Sequence, residues 1–282
     1  MDCPVRKRFK MLSEAGAGGY GTIFEAKDIV HNKVVVVKRI DHQGKRTQYH
    51  NYNEIGILSA ISHKNIVTYY DAILYFNEKK NIEEAWIVME FLQGGSLQEC
   101  SSALRLGFTH IAYIIREILL ALEYLHKMGL AHRDLKSSNV MIGVDGDIKL
   151  IDFGLCEDMS SGPRYGTLGS PYWLSPEMIK QQSHSFATDI WSLGVCLIEL
   201  ILGDVPFDTP LKCMFKTATV GLHESIPKDI PEMTKDFLKQ CLTQDQFQRP
   251  TSSALLQHPW LLVPGLADGI KDALDAIFVS KL

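Results

Sequence analysis

An α+β fold follows from two patterns in this sequence and the break between them. Up to Leu92, short β-favourable runs at Phe9–Leu12, Thr22–Ala26, Val34–Ile40, Val67–Tyr75 and Ala85–Phe91 predict strands separated by Gly, Asp and Asn. After Gly94-Gly95, apolar residues recur at helical spacing over Ile111–His126, Asp189–Leu202, Thr234–Leu242 and Thr251–Leu256. One helix interrupts the strand-rich part. It is predicted over Gln48–Ser62, with Tyr52, Ile55, Leu58 and Ile61 at helical spacing. The segment Phe76–Asn81 reads as a polar loop, and no internal repeat or low-complexity segment is visible.

Bulk numbers narrow the function classes. At 282 residues the chain can build two lobes or one large core. Its 46% hydrophobic and 22% charged content is ordinary for a globular protein. A net charge of −4 gives no general field for nucleic acid or an anionic membrane, and the basic cluster Arg6-Lys7-Arg8 with Lys10 is short. The longest apolar stretch, Ile190–Leu202, contains Glu199 and falls short of the ~20 residues that span a bilayer. No nucleic-acid partner and no membrane insertion are therefore expected. Cys3, Cys100, Cys156, Cys196, Cys213 and Cys241 are scattered without a CxxC pair, which predicts reduced thiols and a cytoplasmic, or else nuclear, location.

The chemistry is concentrated in His132-Arg133-Asp134-Leu135-Lys136-Ser137-Ser138-Asn139, followed by Asp152-Phe153-Gly154. Asp134 is a carboxylate able to accept a hydroxyl proton. Asn139 and Asp152 are hard oxygen ligands suited to Mg²⁺. Lys136 can neutralise a transferring phosphoryl group. Upstream, Gly16-Ala17-Gly18-Gly19-Tyr20-Gly21-Thr22-Ile23 fits G-x-G-x-x-G-x-[VI], whose glycines let backbone approach phosphate oxygens. A dinucleotide-binding turn shares that spacing but needs a following helix; here Thr22–Ala26 reads as a strand. Lys38 ends the valine run Val34–Val37, which argues for a buried lysine in need of a carboxylate, and Glu54 on the predicted helix is the candidate.

Taken together, these motifs resemble the catalytic domain of eukaryotic protein kinases. Ser175-Pro176-Glu177, Asp189-Ile190-Trp191-Ser192-Leu193-Gly194 and Gln248-Arg249-Pro250 extend the resemblance from about residue 9 to residue 262. Lys136 fits the serine/threonine type. Gly169-Ser170-Pro171-Tyr172-Trp173 and Val88-Met89-Glu90-Phe91-Leu92-Gln93-Gly94-Gly95-Ser96-Leu97 resemble the sterile-twenty group, nearest its Rac-activated branch.

The resemblance implies a leader (1–8), a bilobal kinase domain (9–262, with a small β-rich lobe at 9–92 and a larger helical lobe at 96–262) and a tail (263–282), possibly helical through Leu266, Ile270, Leu274 and Ile277. It implies ATP and Mg²⁺ as cofactors and protein substrates bearing Ser or Thr. By position, Asp134 and Lys136 are catalytic, and Asn139 and Asp152 hold the metal. Lys38 with Glu54 positions the ATP phosphates. The nucleotide would be lined by Ala15, Gly16, Ala17, Gly18, Gly19, Tyr20, Gly21, Thr22, Ile23 and Val36. Met89 would be the gatekeeper, Glu90 to Leu92 the hinge and Met141 the adenine floor. His132 would pack on Phe153, and Arg249 would pair with Glu177.

Two residues depart from the family pattern: Ala15 where Ile or Leu is usual, and Val36 where Ala is usual. Mutual volume compensation is the expectation. Arg133 beside Asp134 suggests a switch by phosphorylation of the segment from Asp152 to Glu177. The usual threonine position is occupied by Gly166, so Thr167 is the candidate site, modified by an upstream activating kinase or by autophosphorylation. Too few residues precede the glycine loop for a GTPase-binding segment to be expected there. Two rival readings share the fold: a catalytically silent scaffold or allosteric partner, and a small-molecule phosphotransferase.

Overall fold

The structure is a computed structural model that describes residues 7–18, 21–78, 80–103 and 105–271. It divides into two compact units, Met1–Leu92 and Gln93–Leu282.

The first unit is an antiparallel sheet of β1 (Phe9–Gly18), β2 (Gly21–Asp28), β3 (Lys33–Asp41), β4 (Tyr69–Asn77) and β5 (Ile82–Glu90), in the order β1-β2-β3-β5-β4. β-Branched valines suit a pleated, half-buried surface, and β3 is built from them. Val35 and Val37 point to one face and join Phe9, Ala26, Tyr75, Trp86 and Val88 in a buried cluster. The alternation then puts Val36 and Lys38 on the other face, where Lys38 lies opposite Ile23 and Ile87 and Val36 opposite Glu25 and Met89. Ala15 falls at an irregularity of β1 and is exposed. Because β2 separates β1 from β3, two strand spacings (~9.6 Å) lie between the Ala15 and Val36 backbones.

Helix α1 (Lys45–Ala60) buries Asn51, Glu54, Ile57 and Leu58, whereas Tyr52 is 54% exposed. The buried face is rotated from the apolar spacing because polar bonds select it. Asn51 Nδ2 donates to the Asp41 carbonyl at 2.7 Å and bonds His42 Nδ1 at 3.1 Å, and Glu54 meets Lys38.

The second unit is largely helical. After β6 (Gly94–Ser96) and α2 (Leu97–Ala103) comes α3 (Phe108–Lys127), which buries Ile111, Ile114, Ile115, Ile118, Leu122 and Leu125 along one face. Short strands follow: β7 (Leu130–Ala131), β8 (Val140–Gly143), β9 (Ile148–Leu150) and β10 (Glu157–Asp158). Then come α4 (Pro176–Ile179), α5 (Ala187–Leu202), α6 (Pro210–Thr219), α7 (Glu232–Cys241) and α8 (Ser252–Leu255).

Helix α5 is buried nearly all round, so the longest apolar run of the sequence is a core helix. No helix among the described residues is long and apolar enough to cross a membrane. Helix α6, not among the helices expected from the sequence, exposes Leu211 and Phe215, at 78% and 68%. Its start is nonetheless marked: Thr209 caps the Lys212 N–H, and Pro210 follows at the first helical position. In the tail, Leu266, within turns over 264–269, and Ile270, just after them, are buried, while Leu274 and Ile277 lie outside the described residues. Cys100, Cys156, Cys196, Cys213 and Cys241 are all buried free thiols.

Candidate active site

Each unit carries candidate site residues. In the first, Lys38 Nζ donates to Glu54 Oε1 at 2.6 Å, with side chains only 5% and 6% exposed. A charge pair this dry is held by geometry, since the desolvation of each ion must be offset by its partner. The β1–β2 hairpin closes on the pair Gly18 and Gly21. At Gly21, φ is +123°, and a Cβ there would come within 2.4 Å of the Arg39 carbonyl oxygen, so only glycine fits. Gly19 and Tyr20 lie outside the described residues, as do the side-chain surroundings of Ala17 and Gly18. Gly16, Thr22, Ile23 and Val36 are half-buried and Met89 is buried. Glu90 accepts from the Thr68 N–H (2.6 Å) and hydroxyl (2.9 Å) at the end of β5, and Leu92, just beyond, is half-buried.

In the second unit the catalytic loop bends through a positive φ of 63° at Arg133, a costly conformation for a non-glycine residue. Asp189, at the start of α5, holds it. Its carboxylate accepts the His132 N–H (2.9 Å) and the Arg133 N–H (2.8 Å), and bonds His126 Nε2 at 2.9 Å. Burial opposes ionisation of Asp189, but the His126 and backbone hydrogen bonds outweigh it and keep the carboxyl below its usual range. The His132 ring meets Phe153 edge-on at 5.1 Å, as expected.

This brace fixes Asp134. Its Oδ2 accepts from Lys136 Nζ at 3.0 Å and Asn139 Nδ2 at 3.1 Å, and its Oδ1 accepts from the Ser170 hydroxyl at 2.9 Å. Lys136 Nζ also donates to Ser170 Oγ at 2.8 Å, and Asn139 Nδ2 to the Asp134 carbonyl at 2.9 Å. Asn139 thus spends its amide nitrogen on Asp134, which leaves Oδ1 as its ligand atom. The β8–β9 hairpin carries the two prospective metal ligands at one end. Val140 pairs with Leu150, and the Ile151 N–H bonds the Asn139 carbonyl at 3.0 Å, one residue before Asp152. Asp152 itself has φ 61°. Met141 is half-buried in the same hairpin, opposite Lys149.

The sequence reading missed two residues of this arrangement. Asp189 had registered only as a family mark, although a buried Asp at a helix start signals N–H groups to satisfy. Ser170 had registered only within Gly169-Ser170-Pro171, and a hydroxyl bridging Asp134 and Lys136 leaves no trace in local sequence. In the segment 152–177, the Thr167 hydroxyl donates to the Met178 carbonyl at 2.8 Å. The Arg133 guanidinium pairs with Glu157 at 3.0 Å.

The protein kinase domain family matches residues 9–261. Among similar proteins are the probable serine/threonine-protein kinases mkcD (41% identical over 98% of this chain and 43% of the relative) and mkcB (38% identical over 98% of this chain and 38% of the relative), both of Dictyostelium discoideum. Serine/threonine-protein kinase shk1/pak1 of Schizosaccharomyces pombe is 35% identical over 90% of this chain and 38% of its own length. This chain belongs to the protein kinase domain family. It spans well under half the length of these curated relatives.

Proposed function

We propose that this chain is a serine/threonine protein kinase that transfers the γ-phosphoryl group of ATP, with Mg²⁺, to hydroxyls of protein substrates in intracellular signalling. The observation that carries the reading is the carboxylate of Asp134, fixed by Lys136, Asn139 and Ser170 and braced from behind by Asp189. Phosphoryl transfer asks a protein mainly for positioning and charge neutralisation.

Asp134 orients the incoming hydroxyl and takes its proton as the bond to phosphorus forms. Lys136 Nζ, tethered between Asp134 and Ser170, sits beside that base to meet the developing charge. Lys38, held by Glu54, steers the non-transferring phosphates. Asn139 Oδ1 and the Asp152 carboxylate form a hard oxygen donor set of the type Mg²⁺ takes, and they are the residues that would hold it. Held there, the ion would supply charge neutralisation at the phosphates. The buried, reduced cysteines support a cytoplasmic or nuclear setting. A silent scaffold would not need Lys38–Glu54 and the Asp134 cluster intact together.

The test is transfer of labelled phosphate from Mg²⁺·ATP to a generic basic protein and to the chain itself, followed by phosphoamino-acid analysis. Phosphoserine and phosphothreonine are expected; label on tyrosine alone, or none with nucleotide still bound, contradicts the reading.

A further inference from the structure

We infer that Glu157 is a built-in counter-anion of the segment 152–177, a positioning residue that holds Arg133 and Arg164 where a phosphate would otherwise have to hold them. The inference deepens the kinase reading and rests on it, because its consequence is catalysis without phosphorylation of that segment.

The geometry centres on one carboxylate. Arg133 precedes Asp134 in the loop, and its side chain is only 6% exposed, so its guanidinium requires an anion. Nη2 donates to Glu157 Oε2 at 3.0 Å, and Nε donates to the Leu155 carbonyl at 2.9 Å. The other Glu157 oxygen accepts from Arg164 Nε at 3.4 Å. Arg164 closes the segment on itself, through Nη2 to the Asp158 carbonyl at 2.7 Å and Nη1 to the Gly162 carbonyl at 3.1 Å. Its backbone exchanges two hydrogen bonds with His184, at 3.0 and 2.8 Å. The backbone of Glu157 pairs with Ala131 in the β7–β10 ribbon, just before the catalytic loop. A single side chain thus ties the loop bearing Asp134 to both the start and the middle of the segment.

Two further observations agree. Gly166, which stands at the position matching the usual phosphothreonine, has φ +103°, a conformation that any residue with a side chain resists. The neighbouring Thr167 hydroxyl is already engaged with Met178. A phosphate entering beside Glu157 would meet a like charge, and the guanidiniums it would seek are already occupied.

The experiment uses phosphatase-treated chain shown by intact mass to carry no phosphate. Hydrogen exchange of the amides in 157–170 is read together with kcat, the KM for ATP and Tm, in the wild type and in Glu157→Gln, Arg164→Gln and Glu157→Asp. The phosphate-free wild type is expected to be protected in this segment and active. Loss of one charge-assisted bond in Glu157→Gln or Arg164→Gln raises exchange and lowers kcat by about tenfold with KM for ATP held, and Glu157→Gln, which strips the buried Arg133 of its anion, also lowers Tm. Glu157→Asp recovers part of both. Protection that appears only after phosphorylation of Thr167, or exchange unchanged in both Gln variants, overturns the inference. Exchange reads the anchor whether or not phosphate is transferred. Absence of transfer in every sample therefore counts against the kinase reading, and the anchor is judged on protection.

Discussion

Arg249 and Glu177, 72 positions apart in the chain, form a two-point ion pair with side chains 0% and 3% exposed. Nη1 donates to Oε1 at 2.8 Å and Nη2 to Oε2 at 3.1 Å, while Nη1 also reaches the Ala187 carbonyl at 2.7 Å and Nε the Thr243 carbonyl at 3.0 Å. The guanidinium lies over the Trp191 ring at 5.1 Å. The pair pins the end of the segment that carries Ser170 to the helical core.

Arg249→Ala leaves Glu177 buried and unpaired, and is expected to cost about 3–5 kcal/mol in denaturant unfolding. Arg249→Lys keeps the charge but cannot reproduce the fork, so it should recover only part of that loss. Equal stability of Arg249→Ala and wild type would show that the pair does not hold the segment.

Lys38 and Glu54 act as a unit, because neither ion is tolerable in that dry site alone. Lys38→Met and Glu54→Gln should each lower kcat/KM for ATP by about 10²-fold or more, and the double variant should be little worse than either single one. Additive losses measured by steady-state kinetics would mean that the two residues work independently.

Glu199 gives a pH dependence with a definite sign. Burial raises its pKa from 4.5 to about 7, against the Ser137 hydroxyl, which donates to Oε1 at 2.6 Å. The folded chain therefore keeps a proton that the unfolded chain releases near 4.5. Stability from this group is full below that value and is lost as pH rises to about 7. Glu199→Gln keeps an oxygen for Ser137 and removes the titration. Thermal melts should then lose their slope across that window, and the variant should gain up to ~3 kcal/mol over wild type on the alkaline side. Parallel melting curves for the two proteins would contradict this.

The sequence made the strands and most long helices legible, because β-branched runs and apolar helical spacing are local properties. The valines of β3 gave both the strand and the burial of Lys38, and the motif spacing led to Asp134, Lys136, Asn139 and Asp152. Where a polar residue decides a buried face, the apolar pattern misleads: α1 turns Asn51 and Glu54 inward and leaves Tyr52 in solvent. The contributions of Ser170, Asp189 and Glu157 depend on contacts between distant segments, which no local window contains.

The most direct test of the account is the rate of phosphoryl transfer by Asp134→Asn, measured beside nucleotide affinity in the same preparation. Asparagine keeps the side chain's shape and removes the proton acceptor. A fall in kcat of about 10²–10⁴-fold with nucleotide affinity unchanged is the result expected of a general base. Transfer at the wild-type rate by Asp134→Asn would contradict the account.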